Sequence, residues 1–222
     1  MDGSSMLLTG GSGLLGKELQ KYLIFIAPSS KKLPIDISFM TSYYRKSAPH
    51  VFDLVVHSAA YTDLGLAEGK GKQDCFNVNF FGTKNMVDNF KDVPFVYIST
   101  EYVYNPVNFY SLTKLEAEKY VRSYHPKHLI IRTLFKPRPF PHTMAFKDQL
   151  TRGDYVDVIA PLIVSAITGW DKKKSYTLDI GTERKTMYEL AQRTRPDVIA
   201  GSVKDALPLR LPKDYRPYLD YK

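Results

Sequence analysis

Cysteine is almost missing from these 222 residues, Cys75 being the only one. A single thiol excludes an internal disulfide framework and suits a reducing compartment. Long apolar runs are missing too. A membrane-spanning helix needs about 20 consecutive apolar residues, and no stretch approaches that, nor does the amino terminus carry an apolar signal segment. The expectation is a cytoplasmic protein with no membrane partner. The five histidines are scattered and form no ligand constellation, so no metal is expected. Internal repeats and low-complexity tracts are absent as well. Acidic residues are the scarcer charge, 23 against 31 basic ones, for a formal charge of +8. The basic residues fall in short groups such as Lys31-Lys32 and Lys172-Lys173-Lys174. That spread lacks the long block or finger-type spacing of a nucleic-acid binder. It equally steers an anionic cofactor and an anionic substrate.

What is present is alternation. Short apolar runs at residues 6–9, 23–27, 52–58, 95–99 and 129–133 read as strands covered on both faces. Helical patterns at 14–22, 74–90 and 109–124 lie between them. This order predicts an α/β, Rossmann-type doubly wound parallel sheet. After Lys136 the run Lys136-Pro137-Arg138-Pro139-Phe140-Pro141 suits neither regular helix nor central strand. Residues 1–136 are therefore expected to form a dinucleotide-binding domain carrying the catalytic residues. Residues 137–222 are expected to form a small, abbreviated substrate-binding region, part of which packs back on the first. Within it, 157–168 and 186–193 read as helices, the second with a capping box from Thr186 and Glu189, and 176–180 reads as a strand.

The first strand runs directly into Thr9-Gly10-Gly11-Ser12-Gly13-Leu14-Leu15-Gly16. Glycines at intervals of three suit a tight turn, close approach of a pyrophosphate, and helix-on-strand packing. Gly10, Gly13, Leu14 and Leu15 are the expected contacts, with helix N–H groups facing the phosphates. After the second run, where an acidic residue would read the ribose of NAD, the chain has Ser29, Ser30 and Lys31. Hydroxyls and an ammonium suit a 2′-phosphate, so NADP(H) is favoured, with NAD(H) as the alternative. Asp36 and Ile37 are placed over the adenine. Ala59, Ala60 and Tyr61 end the third run, where small side chains admit a flat ligand; His57 just before them reads as a packed residue. Asn79 is placed facing the cleft, where its amide can anchor backbone or water.

Ser99 and Thr100 end the next strand, and Tyr110 and Lys114 follow, four apart and on one helix face. An ammonium beside a phenol lowers the phenol's pKa toward the working range. The phenol then exchanges a proton with a carbonyl oxygen that Thr100 holds.

Together, the glycine turn, Ala59-Ala60-Tyr61-Thr62-Asp63 with Ala67-Glu68, Asn77-Val78-Asn79, Ser99-Thr100-Glu101-Tyr102-Val103-Tyr104 and Tyr110-Ser111-Leu112-Thr113-Lys114 resemble the extended short-chain dehydrogenase/reductases. Within them the chain is most similar to the dTDP-4-dehydrorhamnose reductase group. The resemblance implies reduction of a 4-keto nucleotide sugar in deoxysugar and polysaccharide synthesis. In it Tyr110 is proton donor, Lys114 its partner on the nicotinamide ribose, and Thr100 the orienting hydroxyl. An epimerase of the same superfamily, or a catalytically silent NADP(H)-binding subunit, is the alternative. The segment from Thr100 to Tyr110 is shorter than the family pattern, and the substrate lobe is abbreviated. Both imply a more open cleft, which a homodimer or a partner subunit would complete.

Overall fold

The computed structural model describes residues 5–28 and 52–214. Five parallel strands form the central sheet: β1 (Met6–Thr9), β2 (Leu54–His57), β3 (Phe95–Thr100), β4 (His128–Thr133) and, later in the chain, a strand at Tyr176–Asp179. They stand side by side in that order. Successive side chains on a strand point to opposite faces, and here both faces are covered. Leu8, Val56, Val96, Ile98, Leu129 and Ile131 pack on one side with Leu15 and Leu19 of helix α1 (Leu14–Leu19). Leu7, Val55, Phe95, Tyr97 and Ile130 pack on the other. Two-sided burial is why these strands read as unbroken apolar runs.

The second face is covered by a helical stretch after β2 and by the long helix that follows β3. The stretch runs through α2 (Leu64–Ala67), α3 (Lys72–Phe76), a wider π-type turn at Asn77–Gly82, and α4 (Thr83–Asn89). The long helix, α5 (Phe109–Tyr124), starts at an Asn108 cap whose carbonyl oxygen Oδ1 accepts from Ser111 N at 2.8 Å. Glu68 Oε1 accepts from Phe109 N at 2.6 Å and ties α2 to the start of α5.

Two expected elements differ. Residues 23–27 contribute a single bridge, Leu7 to Ile26, in place of a full strand. The first helix ends at Leu19, short of the expected residue 22, and turns at residues 20–22 follow it.

The part of 137–222 that packs back on the sheet is α6 (Val156–Gly169) and the Tyr176–Asp179 strand. Val156, Ile159, Ala160, Ile163 and Ile167 of α6 join the α1 side of the core. Arg132 of β4 lies in register with Asp179. What remains is a lobe built from β5 (Phe135–Lys136), β6 (Met144–Phe146), β7 (Leu150–Thr151), β8 (Asp154–Tyr155) and, after the Tyr176–Asp179 strand (β9), β10 (Lys185–Thr186), α7 (Met187–Gln192) and β11 (Ile199–Gly201). Leu134, Phe140, Tyr155, Met187 and Leu190 are buried in its own core together with Tyr102 from beyond β3. Among the described residues no helix is long and apolar enough to cross a membrane.

Candidate active site

A cavity of about 710 Å³ opens across the carboxyl ends of β1, β2, β3 and β4. That is where ligands gather in open parallel sheets. Its β1 side is the glycine turn. Gly10 has φ +73°, and a Cβ there would stand 2.7 Å from Ala59 N. Only glycine meets both demands. Gly13 N donates to Gly10 O at 2.9 Å and closes the turn. A Cβ on Gly16 would collide with Gly10 O and stand 2.7 Å from Gly11 Cα, so α1 lies directly against the turn. Leu14 and Leu15 begin the helix, and first-turn N–H groups have no partner within a helix. All of these residues line the cavity.

Ala59 and Ala60 form its β2 side, with Ser58 and Thr62. Tyr61 and Asn79, expected as direct contacts, are not among the lining residues. Asn79 is buried in the π-type turn behind the wall. Its Oδ1 accepts from Tyr61 N at 2.8 Å, and its Nδ2 donates to Tyr61 O at 3.2 Å and to Thr113 Oγ1 at 3.0 Å. It therefore holds the segment bearing Ala59 and Ala60 against α5. His57 is the packed residue expected, hydrogen-bonded to Thr9 Oγ1 at 2.7 Å and Thr83 Oγ1 at 3.0 Å. Burial, with the Lys114 charge adding to it, lowers its pKa to about 3 and keeps it neutral.

Ser99, Thr100, Tyr110 and Lys114 all line the middle of the cavity. The short segment between β3 and α5 achieves this with one 3₁₀ turn, Glu101–Tyr104, followed by the capped helix start. Thr100 Oγ1 accepts from Tyr102 N at 3.3 Å, and its hydroxyl lies beside the Tyr110 phenol, whose pKa it pulls down. Ser99 Oγ donates to Glu118 Oε2 at 2.9 Å, beneath the floor. Burial pushes the Glu118 carboxyl up, yet Arg132, Ser99 and Arg122 together hold it below its usual range.

The expected coupling of Lys114 to Tyr110 differs from the observed one. The Lys114 ammonium donates to Ile98 O at 2.8 Å and lies 4.3 Å from the Tyr97 ring centroid. Burial lowers its pKa to about 7, against the opposing pull of Glu118. The Tyr110 phenol is shifted upward, by burial first and then by Cys75, with Thr100 opposing. Burial thus holds the phenol protonated. Ser29, Ser30, Lys31, Asp36 and Ile37, the residues expected to read the adenosine end, lie outside the described residues.

Several lining residues carried no motif signal. Thr133, Leu134, Phe135, Lys136, Pro137, Pro141 and His142 close the β4 side. The signal available for them is position: they follow directly after a strand end, where ligands collect.

The family model described as RmlD substrate binding domain matches residues 4–200. An uncharacterized membrane protein of Methanocaldococcus jannaschii is 30% identical over 139 residues, 52% of this chain and 41% of that protein. The dTDP-4-dehydrorhamnose reductase of Salmonella typhimurium is 28% identical over 156 residues, 58% of this chain and 50% of that one. The chain thus spans half or less of the length of these curated relatives. Among solved structures, dTDP-4-dehydrorhamnose reductase from Bacillus anthracis in complex with NADP superposes with a TM-score of 0.80 at 23% identity, covering 95% of this chain and 88% of that one. That likeness is one of fold, over nearly all of this chain. The chain belongs to the RmlD substrate binding domain family.

Proposed function

We propose that this protein is an NADPH-dependent reductase of a 4-keto nucleotide sugar, with Tyr110 as the proton donor. One observation carries the reading. Despite the short segment between them, Thr100 and Tyr110 line one cavity together with Lys114 and the glycine turn. The Salmonella and Bacillus anthracis relatives, whose names specify that reaction, support the substrate class.

The cradle fits a dinucleotide. Gly10 and Gly16 keep clear the space that a side chain would fill, and Gly13, Leu14 and Leu15 present backbone toward the same space. Ser58, Ala59 and Ala60 leave room on the β2 side, and Lys114 and Tyr110 stand at the nicotinamide end. When bound, the reduced dinucleotide supplies a hydride. The chain supplies the proton and the alignment. Tyr110, protonated at neutral pH because burial raises its pKa, donates its hydroxyl proton to the carbonyl oxygen. Thr100 donates a hydrogen bond to the same oxygen and fixes its position. A phenol held in its acid form suits the reducing direction. Lys114, close to half-charged near neutrality, is available to a ribose hydroxyl once it leaves Ile98 O. The buried free thiol of Cys75 fits a cytoplasmic setting.

The test is consumption of NADPH, mole for mole, with a panel of dTDP- and UDP-linked 4-keto-6-deoxy sugars. Tyr110→Phe should lower turnover by about 100-fold or more, the scale of general acid catalysis, with NADPH affinity retained. Cofactor retained unchanged through turnover would identify an epimerase instead. NADPH binding with no reduction of any substrate would identify a silent subunit.

A further inference from the structure

The β4 side of the cavity holds a lysine whose ammonium has no hydrogen bond or ion pair among the described residues. Lys136, the second residue of β5, lines the cavity and is only partly exposed. The two most buried lysines behave differently. Lys114 donates to Ile98 O, and Lys185 donates to Thr182 Oγ1 at 2.7 Å and lies 3.4 Å from Asp154.

A cation withdrawn from water without an anion is costly, and a bound counter-ion recovers that cost. Burial lowers the Lys136 pKa, and Glu101 is the carboxylate acting against that. Glu101 itself accepts from Thr151 Oγ1 at 2.9 Å. Two further groups border the same side. Thr133 has a buried hydroxyl with no hydrogen-bond partner. His142, at the exposed rim, has its pKa lowered by burial, then by Lys136 and Arg195, and so stays neutral at neutral pH.

Sheet order places these groups relative to the reacting centre. The glycine turn follows β1, Thr100 ends β3, and Lys136 follows β4. At about 4.8 Å per strand, the turn and the lysine are separated by about 14 Å, with Thr100 between them. A substrate whose carbonyl meets Thr100 and Tyr110 therefore extends toward Lys136 on the side away from the turn.

We propose that Lys136 is a specificity-determining residue that receives an anionic oxygen group of the substrate, a phosphate or a carboxylate, on the far side of the reacting carbonyl. This deepens the reductase reading and rests on it. A nucleotide sugar can offer such a group from its diphosphate or from a uronic acid carboxylate, and the test separates the two.

Calorimetric titration with dTDP and with methyl glucuronide, in the presence of saturating NADP, measures anion binding without any reducible carbonyl. The wild-type protein should bind at least one of the two. Lys136→Met should weaken that probe at least tenfold, Lys136→Arg should restore most of the affinity, and NADPH affinity should be unchanged in both. The probe affected names the source of the charge. Lys136→Gln provides a second neutral variant in case Met perturbs packing, with NADPH affinity as the check on folding. Affinity within twofold of wild type in both neutral variants, or no binding of either probe to wild type, overturns the assignment. The reductase reading fails separately, through lack of NADPH consumption on the keto-sugar panel, and that failure leaves the probe titrations unaffected.

Discussion

The two sides of the cavity are built by opposite means. On the β1 side the working parts are backbone groups and the absence of side chains: Gly10 and Gly16 are set where a Cβ would collide with Ala59 or with the turn itself. On the β4 side the lining includes side chains of long reach, Lys136 and His142, carried by segments that the lobe core holds in place. A backbone cradle tolerates almost no change but recognises only what every dinucleotide shares. A side-chain wall is open to change, and that is where choice among substrates can reside. The middle of the cavity, Thr100 with Tyr110, is common to both.

The sharpest way to break this comparison is at the turn. Gly10→Ala forces a left-handed φ and a 2.7 Å approach to Ala59 N. It should cost about 2–5 kcal/mol of stability from strain and overpacking and remove NADPH binding. Urea unfolding and fluorescence titration measure both. A variant that binds NADPH like the wild type would show that the backbone cradle is not what holds the cofactor.

The second test addresses the cost of burying a lysine beside the reacting centre. Lys114 has its pKa lowered from 10.5 to about 7 in the folded protein. Between those values the unfolded chain binds the extra proton, so the contribution of Lys114 to stability rises with pH there. Its burial cost is full below about pH 7 and fades toward 10.5. Replacing it, in Lys114→Met, should therefore stabilise the fold most at neutral pH. The advantage over wild type should narrow with rising pH, by up to about 1.4 kcal/mol per unit. A gap between the two unfolding curves that stays constant with pH would mean the ammonium is not desolvated.

The smallest effect is expected in the lobe, away from the cavity. Thr186 caps α7, accepting from Glu189 N at 3.1 Å while Glu189 accepts from Thr186 N at 2.7 Å. Thr186→Ala should lower stability by about 1 kcal/mol and leave NADPH affinity untouched. A change in cofactor affinity would tie the lobe to the turn more tightly than the separate cores suggest.

Much of this organisation was legible in the residues. Two-sided apolar runs marked four of the strands near their observed bounds, because burial on both faces demands apolar side chains at every position. The capping box at Thr186 was readable for a similar reason: a cap acts within four residues. Residues 23–27 misled, since an apolar run states that burial is wanted but not that a neighbour extends alongside it. Asn79 was only half legible. An amide on a helix facing a cleft can bind a ligand or a loop, and only the placement of Tyr61 N and O decided for the loop.

By itself, the order of residues determined the glycine turn, the alternation of strand and helix, and the pairing of Tyr110 with Lys114 on one helix face. All three are local, settled by dihedral limits and the repeat of helix and strand. Tertiary structure alone decided where the Lys114 ammonium points, why the Tyr110 phenol stays protonated, and that Lys136 lines the cavity. Those are questions of burial and of electrostatic neighbours distant in the chain, and no local spacing encodes them.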